Sequence, residues 1–167
     1  MTIRQLLFGA AIAPLLFALL ISAARGEDEY EREPISYSKT APRNRVSRLL
    51  DEISTGKKEL AHEDHFGYLK PLLKELGIKP STQTLVFSKT SLQRQKICPQ
   101  TPRSLFFGDD IYVGFCQQGD VLEISAVDPQ LGAVFYTIDQ EKSNPPKIVR
   151  QTDNCLICHG SSQTKGI

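Results

Sequence analysis

Between Thr84 and Asp139 the chain breaks into five short runs rich in β-branched and aromatic residues: "TLVFS", "SLFF", "IYVGFC", "VLEISAV" and "AVFYTID". The polar turns "GDD", "QQGD" and "DPQLG" separate the last four. Links this short leave no room for helical crossovers, so consecutive strands must pair antiparallel, as a meander. "QEKSNPPK" then breaks the pattern, because its prolines cannot donate to a ladder.

Upstream of the runs the period changes. In "NRVSRLLDEIS", Val46, Leu49, Leu50 and Ile53 fall at i, i+3, i+4 and i+7, one face of a helix, with Gly56 as its stop. "KPLLKELGI" predicts a second, short helix. Pro71 suits its first position, Leu72, Leu73 and Leu76 form its stripe, Gly77 caps it and Pro80 prevents continuation. The class is therefore α+β, with helices first, then an antiparallel meander, then a C-terminal segment carrying its own motif. Residues 46–150 form the α+β domain and 151–167 the motif segment. No internal repeat is present.

The N-terminus bears on the compartment. Arg4 precedes an uncharged apolar stretch from Leu6 to Ala24 that ends in small residues, the pattern of an export signal spanning 1–24. The rival reading is an uncleaved membrane anchor, which Pro14 in mid-segment disfavours. Residues 25–45, acidic in "GEDEYERE" and carrying Pro34 and Pro42, read as a flexible tether. Of 20 Lys+Arg and 19 Asp+Glu, only Arg4 lies in the signal, so the remainder is neutral. Nothing basic points to nucleic acid. The chain beyond the signal suffices for one domain with a core, not for two large ones.

Four cysteines in an exported chain ordinarily mean disulfides. In "NCLICHGS", however, His159 follows directly on the Cys155-x-x-Cys158 pair. Two thiols three residues apart on one helical turn reach both vinyl groups of a haem, and the next imidazole reaches the iron. The other readings of the pair are a redox dithiol, a disulfide, or half of a zinc site completed by Cys98 and Cys116. A thioredoxin-like dithiol wants a βαβ context, which is missing. Haem c is the expected cofactor, with Cys155, Cys158 and His159 as its site and His159 as the proximal iron ligand. Cys98 and Cys116 remain as either a disulfide or two buried thiols.

The second axial position of the iron is the harder question. The single Met, Met1, belongs to the signal, so a His/Met pair is excluded from the mature chain. The remaining histidines, His62 and His65 in "ELAHEDHFGYL", are distal candidates, although that link reads as a charged surface connection. Lys165 is an outlying candidate. With none of them bound, the iron keeps an open position for a small ligand or peroxide. Asp109 and Asp110 are solvated turn residues and are assigned no role.

The block "FSKTSLQRQKICPQTPRSLFFGDDIYVGFCQQGDVLEISAVDPQLGAVFYTIDQ", followed by "RQTDNCLICHGSSQTKG", resembles a family of exported bacterial proteins that carry a cytochrome c domain. The resemblance covers roughly Thr84 to Ile167, with a looser match over the helices. It implies a single haem motif after the sheet, at Cys155, Cys158 and His159, and a chain that continues well past it. Cys98 and Cys116 depart from the family's pattern. Only eight residues follow His159, too few to wrap a haem, so the chain reads as the N-terminal portion of a longer protein.

The expected function is single-electron transfer by a periplasmic or membrane-tethered haem protein with a redox partner protein. The alternatives are a haem enzyme or gas/peroxide sensor with an open axial site, and an exported binding or structural β-domain without haem.

Overall fold

The computed structural model describes residues 29–160. The segment read as an export signal, together with Met1 and Lys165, lies outside the described residues. A six-stranded antiparallel sheet runs in strict sequence order: β1 (Thr84–Val86), β2 (Arg103–Phe107), β3 (Ile111–Phe115), β4 (Val121–Asp128), β5 (Gly132–Asp139) and β6 (Ile148–Gln151). The meander is as the runs and turns predict. β6 is an addition. It is a four-residue edge strand following Pro146, made a strand by pairing with β5 from Phe135↔Gln151 to Ile138↔Ile148. Four residues carry too little periodicity to announce themselves.

Pairing register sorts the strand residues onto two faces. Val113, Ile124 and Tyr136 lie opposite one another across three strands, as do Ile111, Ala126 and Val134, and all are buried. This inner face packs in one core with Val46, Leu49 and Ile53 of α1 (Arg45–Ser54) and Leu69, Leu72 and Leu73 of α2 (Leu69–Glu75). Truncating Leu72, 1 % exposed, to Ala would cost about 2–5 kcal/mol. The fold is thus mixed α+β.

Both helices end for local chemical reasons. Asn44 caps α1: the Ser47 amide donates to its side-chain oxygen at 2.9 Å, and the Ser47 hydroxyl accepts from the Asn44 amide at 3.0 Å. α2 begins two residues before Pro71, which therefore stands third in the helix, still within the first turn where no intrahelical donor is required. Gly77 at φ +64° closes α2, letting Ile78 donate to the Leu73 carbonyl at 2.8 Å.

The start of α1 is pinned to the sheet by Asp128, 3 % exposed. Its carboxylate accepts from the Arg43, Gln130 and Leu131 amides at 2.5, 3.0 and 3.1 Å, and Asn44 donates to the Tyr136 hydroxyl at 3.0 Å. The stretch read as a flexible tether is, from Glu29 onward, part of the domain. Tyr37 is 2 % exposed, its hydroxyl donates to the Ala133 carbonyl, and Arg150 donates to the Tyr37 and Thr40 carbonyls while lying over the Tyr37 ring. Its polar composition concealed one aromatic anchor with the edge strands to grip.

Burial along β4 alternates, with Leu122, Ile124, Ala126 and Asp128 buried and Val127 exposed. β5 is buried without a break from Val134 to Ile138. A strand buried on consecutive residues is covered on both faces. The second cover, on the outer face, is the segment carrying the cysteines.

Candidate functional site

Past β6 the backbone turns at Asp153, whose carbonyl accepts from the amides of Leu156 and Ile157 at 2.9 and 3.1 Å. A single helical turn follows, α3 (Leu156–His159), in which His159 donates to the Cys155 carbonyl at 3.0 Å and Gly160 to that of Leu156 at 2.8 Å. Leu156, 4 % exposed, joins the core and anchors the turn. Cys155, Cys158 and His159 occur at i, i+3 and i+4, which sets them on one side of the turn. Cys155 is half-buried, while Cys158 and His159 are exposed.

The motif lies on the outer face of the sheet. The His159 ring rests on the Phe135 ring, with centroids 4.7 Å apart and planes 39° apart. Phe135 itself is 7 % exposed and opposes Ser125 on β4 and Gln151 on β6. Burial pushes the Cys155 thiol up to about 11, helped by the negative charges of Glu123 and Asp153 and opposed by Arg103. His159 therefore lies over β5.

Strands β2 and β4 carry a polar layer. Arg103 on β2 and Glu123 on β4 form an ion pair at 2.7 Å with side chains only 18 % and 11 % exposed. Glu123 also accepts from the Ser91 hydroxyl at 2.9 Å and the Leu92 amide at 2.8 Å, so the buried carboxylate is well satisfied. Gly114, opposite Glu123, leaves the room this pair needs, since a Cβ there would meet Arg103 Nε at 2.8 Å.

The other candidate residues are placed elsewhere. His62 makes a 3.0 Å hydrogen bond with the carbonyl of Gln140 and stands edge-on to Tyr68 at 4.8 Å. Gln140 follows Phe135 by five residues, roughly 17 Å along an extended strand. His65 is exposed in the same link, where Glu63 pairs with Lys70 at 3.0 Å. The structure does not bring this link to His159. Gly67 fixes the link, with φ +53° and the Gln140 side chain filling the space a Cβ would occupy.

Cys98 and Cys116 are not joined. Cys98 is exposed in a tight turn with its sulfur 3.0 Å from the Thr101 hydroxyl; that hydroxyl and neighbouring backbone amides draw its thiol below the ordinary value. Cys116, 1 % exposed at the end of β3, has its thiol pushed up by burial and by Glu123. Among the described residues, no group of three or more His, Cys, Asp or Glu gathers to hold a metal ion, so the four cysteines do not assemble a zinc site. Asp110, given no role from sequence, pairs with Arg45 at 3.0 Å on the surface.

No sequence motif singles out Phe135, Arg103 or Glu123. The available signal is "VFYTI", whose aromatic and branched residues sit on both alternations of β5 and so call for cover on both faces. Among the described residues, no helix is long and apolar enough to cross a membrane. Compared with known proteins, the chain matches no family model, no curated protein and no solved structure.

Proposed function

We propose that the chain is an exported c-type haem protein, with haem bonded through Cys155 and Cys158, iron ligated by His159, and single electrons exchanged with a partner redox protein. One observation carries this reading. A helical turn anchored by Leu156 sets two thiols and an imidazole on one side, with Cys158 and His159 open to solvent and the imidazole against Phe135 of the sheet. The donor set fits the group, since two thiols one turn apart match two vinyl substituents and the adjoining imidazole is a usual iron ligand. A haem held there supplies a one-electron ferric/ferrous couple. Cys155 and Cys158 would hold the group by thioether bonds, each sulfur bonding to one vinyl carbon and its hydrogen going to the other, which would require no net oxidant. Leu156 and the Asp153 carbonyl hold the turn that carries these donors.

The same reading places the protein in the periplasm or another exported compartment, secreted by the signal at 1–24 or tethered by it, and within the family of cytochrome c domain proteins that its sequence resembles. Its balanced charge offers nucleic acid no partner surface. A second reading is favoured by the bond from His62 to the Gln140 carbonyl, which ties up one distal candidate. It keeps the haem and leaves the sixth iron position open, as in a peroxide-reacting enzyme or gas sensor.

Mass spectrometry of the full chain, made in cells with haem-attachment machinery, tests the common premise. We expect the mass of one haem, lost in the Cys155→Ala/Cys158→Ala double variant. Apoprotein alone would refute both readings and leave an exported β-domain acting through protein contacts.

A further inference from the structure

The outer face of the sheet carries a row of directly opposed residues across five strands: Phe107, Tyr112, Ser125, Phe135 and Gln151. Cover along this row falls off from β5 toward β2. Phe135 lies beneath His159, whereas Phe107 and Tyr112 are 40 % and 49 % exposed, their rings stacked with centroids 6.2 Å apart. Val127, beside the row, is 55 % exposed. Ser125 stands between two aromatics, so Tyr112 and Phe135 flank a dip two inter-strand spacings wide, roughly 9.6 Å. Apolar surface this concentrated on one face marks a binding surface rather than scattered exposure. It is continuous with the cysteine motif, because the His159 ring rests on Phe135, a member of the row.

A planar, mostly apolar macrocycle bonded through Cys155 and Cys158 gains by laying a face against apolar surface, and the row that begins under His159 carries two uncovered, stacked aromatics. We infer that the uncovered aromatic part of the outer-face row, Phe107 and Tyr112, is the wall on which the haem ring rests, with Phe135 acting as the positioning residue that fixes the plane of the His159 imidazole. The inference rests on the haem reading proposed above. It adds the protein surface that shields the ring, and it makes the meander part of the cofactor site rather than a neighbouring scaffold. Tyr112 supplies an amphipathic edge whose ring covers the macrocycle while its hydroxyl stays in water.

The test uses the wild-type chain made with and without haem-attachment machinery, each oxidised by hydroxyl radicals and mapped by peptide mass spectrometry. Intact mass first reports whether haem is attached. With haem present, oxidation at Tyr112 and Phe107 should fall by about threefold or more, because an aromatic ring stacked against another planar group loses most of its accessible face. Phe66, 39 % exposed but packed beside Phe115 on the inner side, should stay unchanged. Attached haem with unaltered oxidation at both aromatics would overturn the wall while leaving the haem reading intact. Absence of attached haem would overturn both. In a second measurement, Tyr112→Lys should retain attached haem but change the circular dichroism of the haem's Soret band, whereas Phe87→Lys, at an exposed residue just past β1, should not. An unchanged band in Tyr112→Lys would also overturn the wall.

Discussion

The Tyr30 ring lies across the Cα of Gly160, so closely that a methyl group there would meet ring atoms at 2.7 and 2.9 Å and the Leu156 carbonyl at 3.2 Å. Tyr30 in turn stands edge-on to Tyr37, with centroids 6.1 Å apart. The first described residues thus close over the last, and the residue after His159 is a glycine because an aromatic ring occupies the space.

Gly160→Ala should therefore destabilise the domain by about 1–3 kcal/mol through overpacking. Tyr30→Ala removes the obstructing ring, so the double variant should lose less than the sum of the two single losses. Denaturant unfolding of the four proteins checks this; strict additivity would show that the ring and the glycine do not interact.

Three of the four thiols should differ in reactivity in a definite order. Alkylation near pH 8 requires thiolate, so Cys98, drawn down by Thr101, should react first. Cys155, pushed up to about 11, should react roughly a hundredfold more slowly than an ordinary exposed thiol. Cys116, buried and raised, should react only on unfolding. Time-resolved peptide mapping of the haem-free protein gives these rates. Recovery of Cys98 and Cys116 as one linked peptide would show instead that the two are bridged.

Removing one partner of the Arg103–Glu123 pair strands the other charge in a largely enclosed site, with side chains 18 % and 11 % exposed. Glu123→Ala should cost about 3–5 kcal/mol in unfolding free energy, while an Arg103→Met/Glu123→Leu double variant should recover most of it. A loss below about 1 kcal/mol in Glu123→Ala would class the pair with exposed surface bridges.

Asp128 should carry part of the acid sensitivity. Burial raises its pKa, but the amides of Arg43, Gln130 and Leu131 and the Asn44 side chain outweigh burial and hold the carboxyl below its ordinary value. A depressed folded value means that stability from this group is full above the unfolded value, near 3.9, and is lost as pH falls through the folded one. Asp128→Asn should cost about 2–3 kcal/mol at neutral pH and flatten the acid limb of the stability profile. A profile parallel to wild type would remove Asp128 from the acid response.

If haem is attached, the ferric optical spectrum should be high-spin and unaffected by His62→Ala or His65→Ala, since His62 is held by Gln140 roughly 17 Å along β5 from Phe135. Added imidazole or cyanide should convert it to low-spin. A low-spin spectrum lost in either variant would mean that the link folds over the ring.

Several features are legible along the chain itself. Five strands follow from runs of β-branched and aromatic residues between tight turns, α1 from the spacing of Val46, Leu49 and Ile53, and the thiol–imidazole motif from adjacency. All of these depend on residues within one or two turns of each other. Tertiary structure alone decided the rest. Tyr37 anchors a polar segment because Ala133 and Arg150 await it; "IVRQ" is a strand because β5 has an edge to pair; Phe135 meets His159 because register sends it to the outer face. Arg103 and Glu123, twenty residues apart, become neighbours only through the pairing of β2, β3 and β4. Hydrophobic period is a local property readable along the chain, whereas register and burial on a given face are set by contacts between distant strands, where a slip of one residue would exchange the two faces.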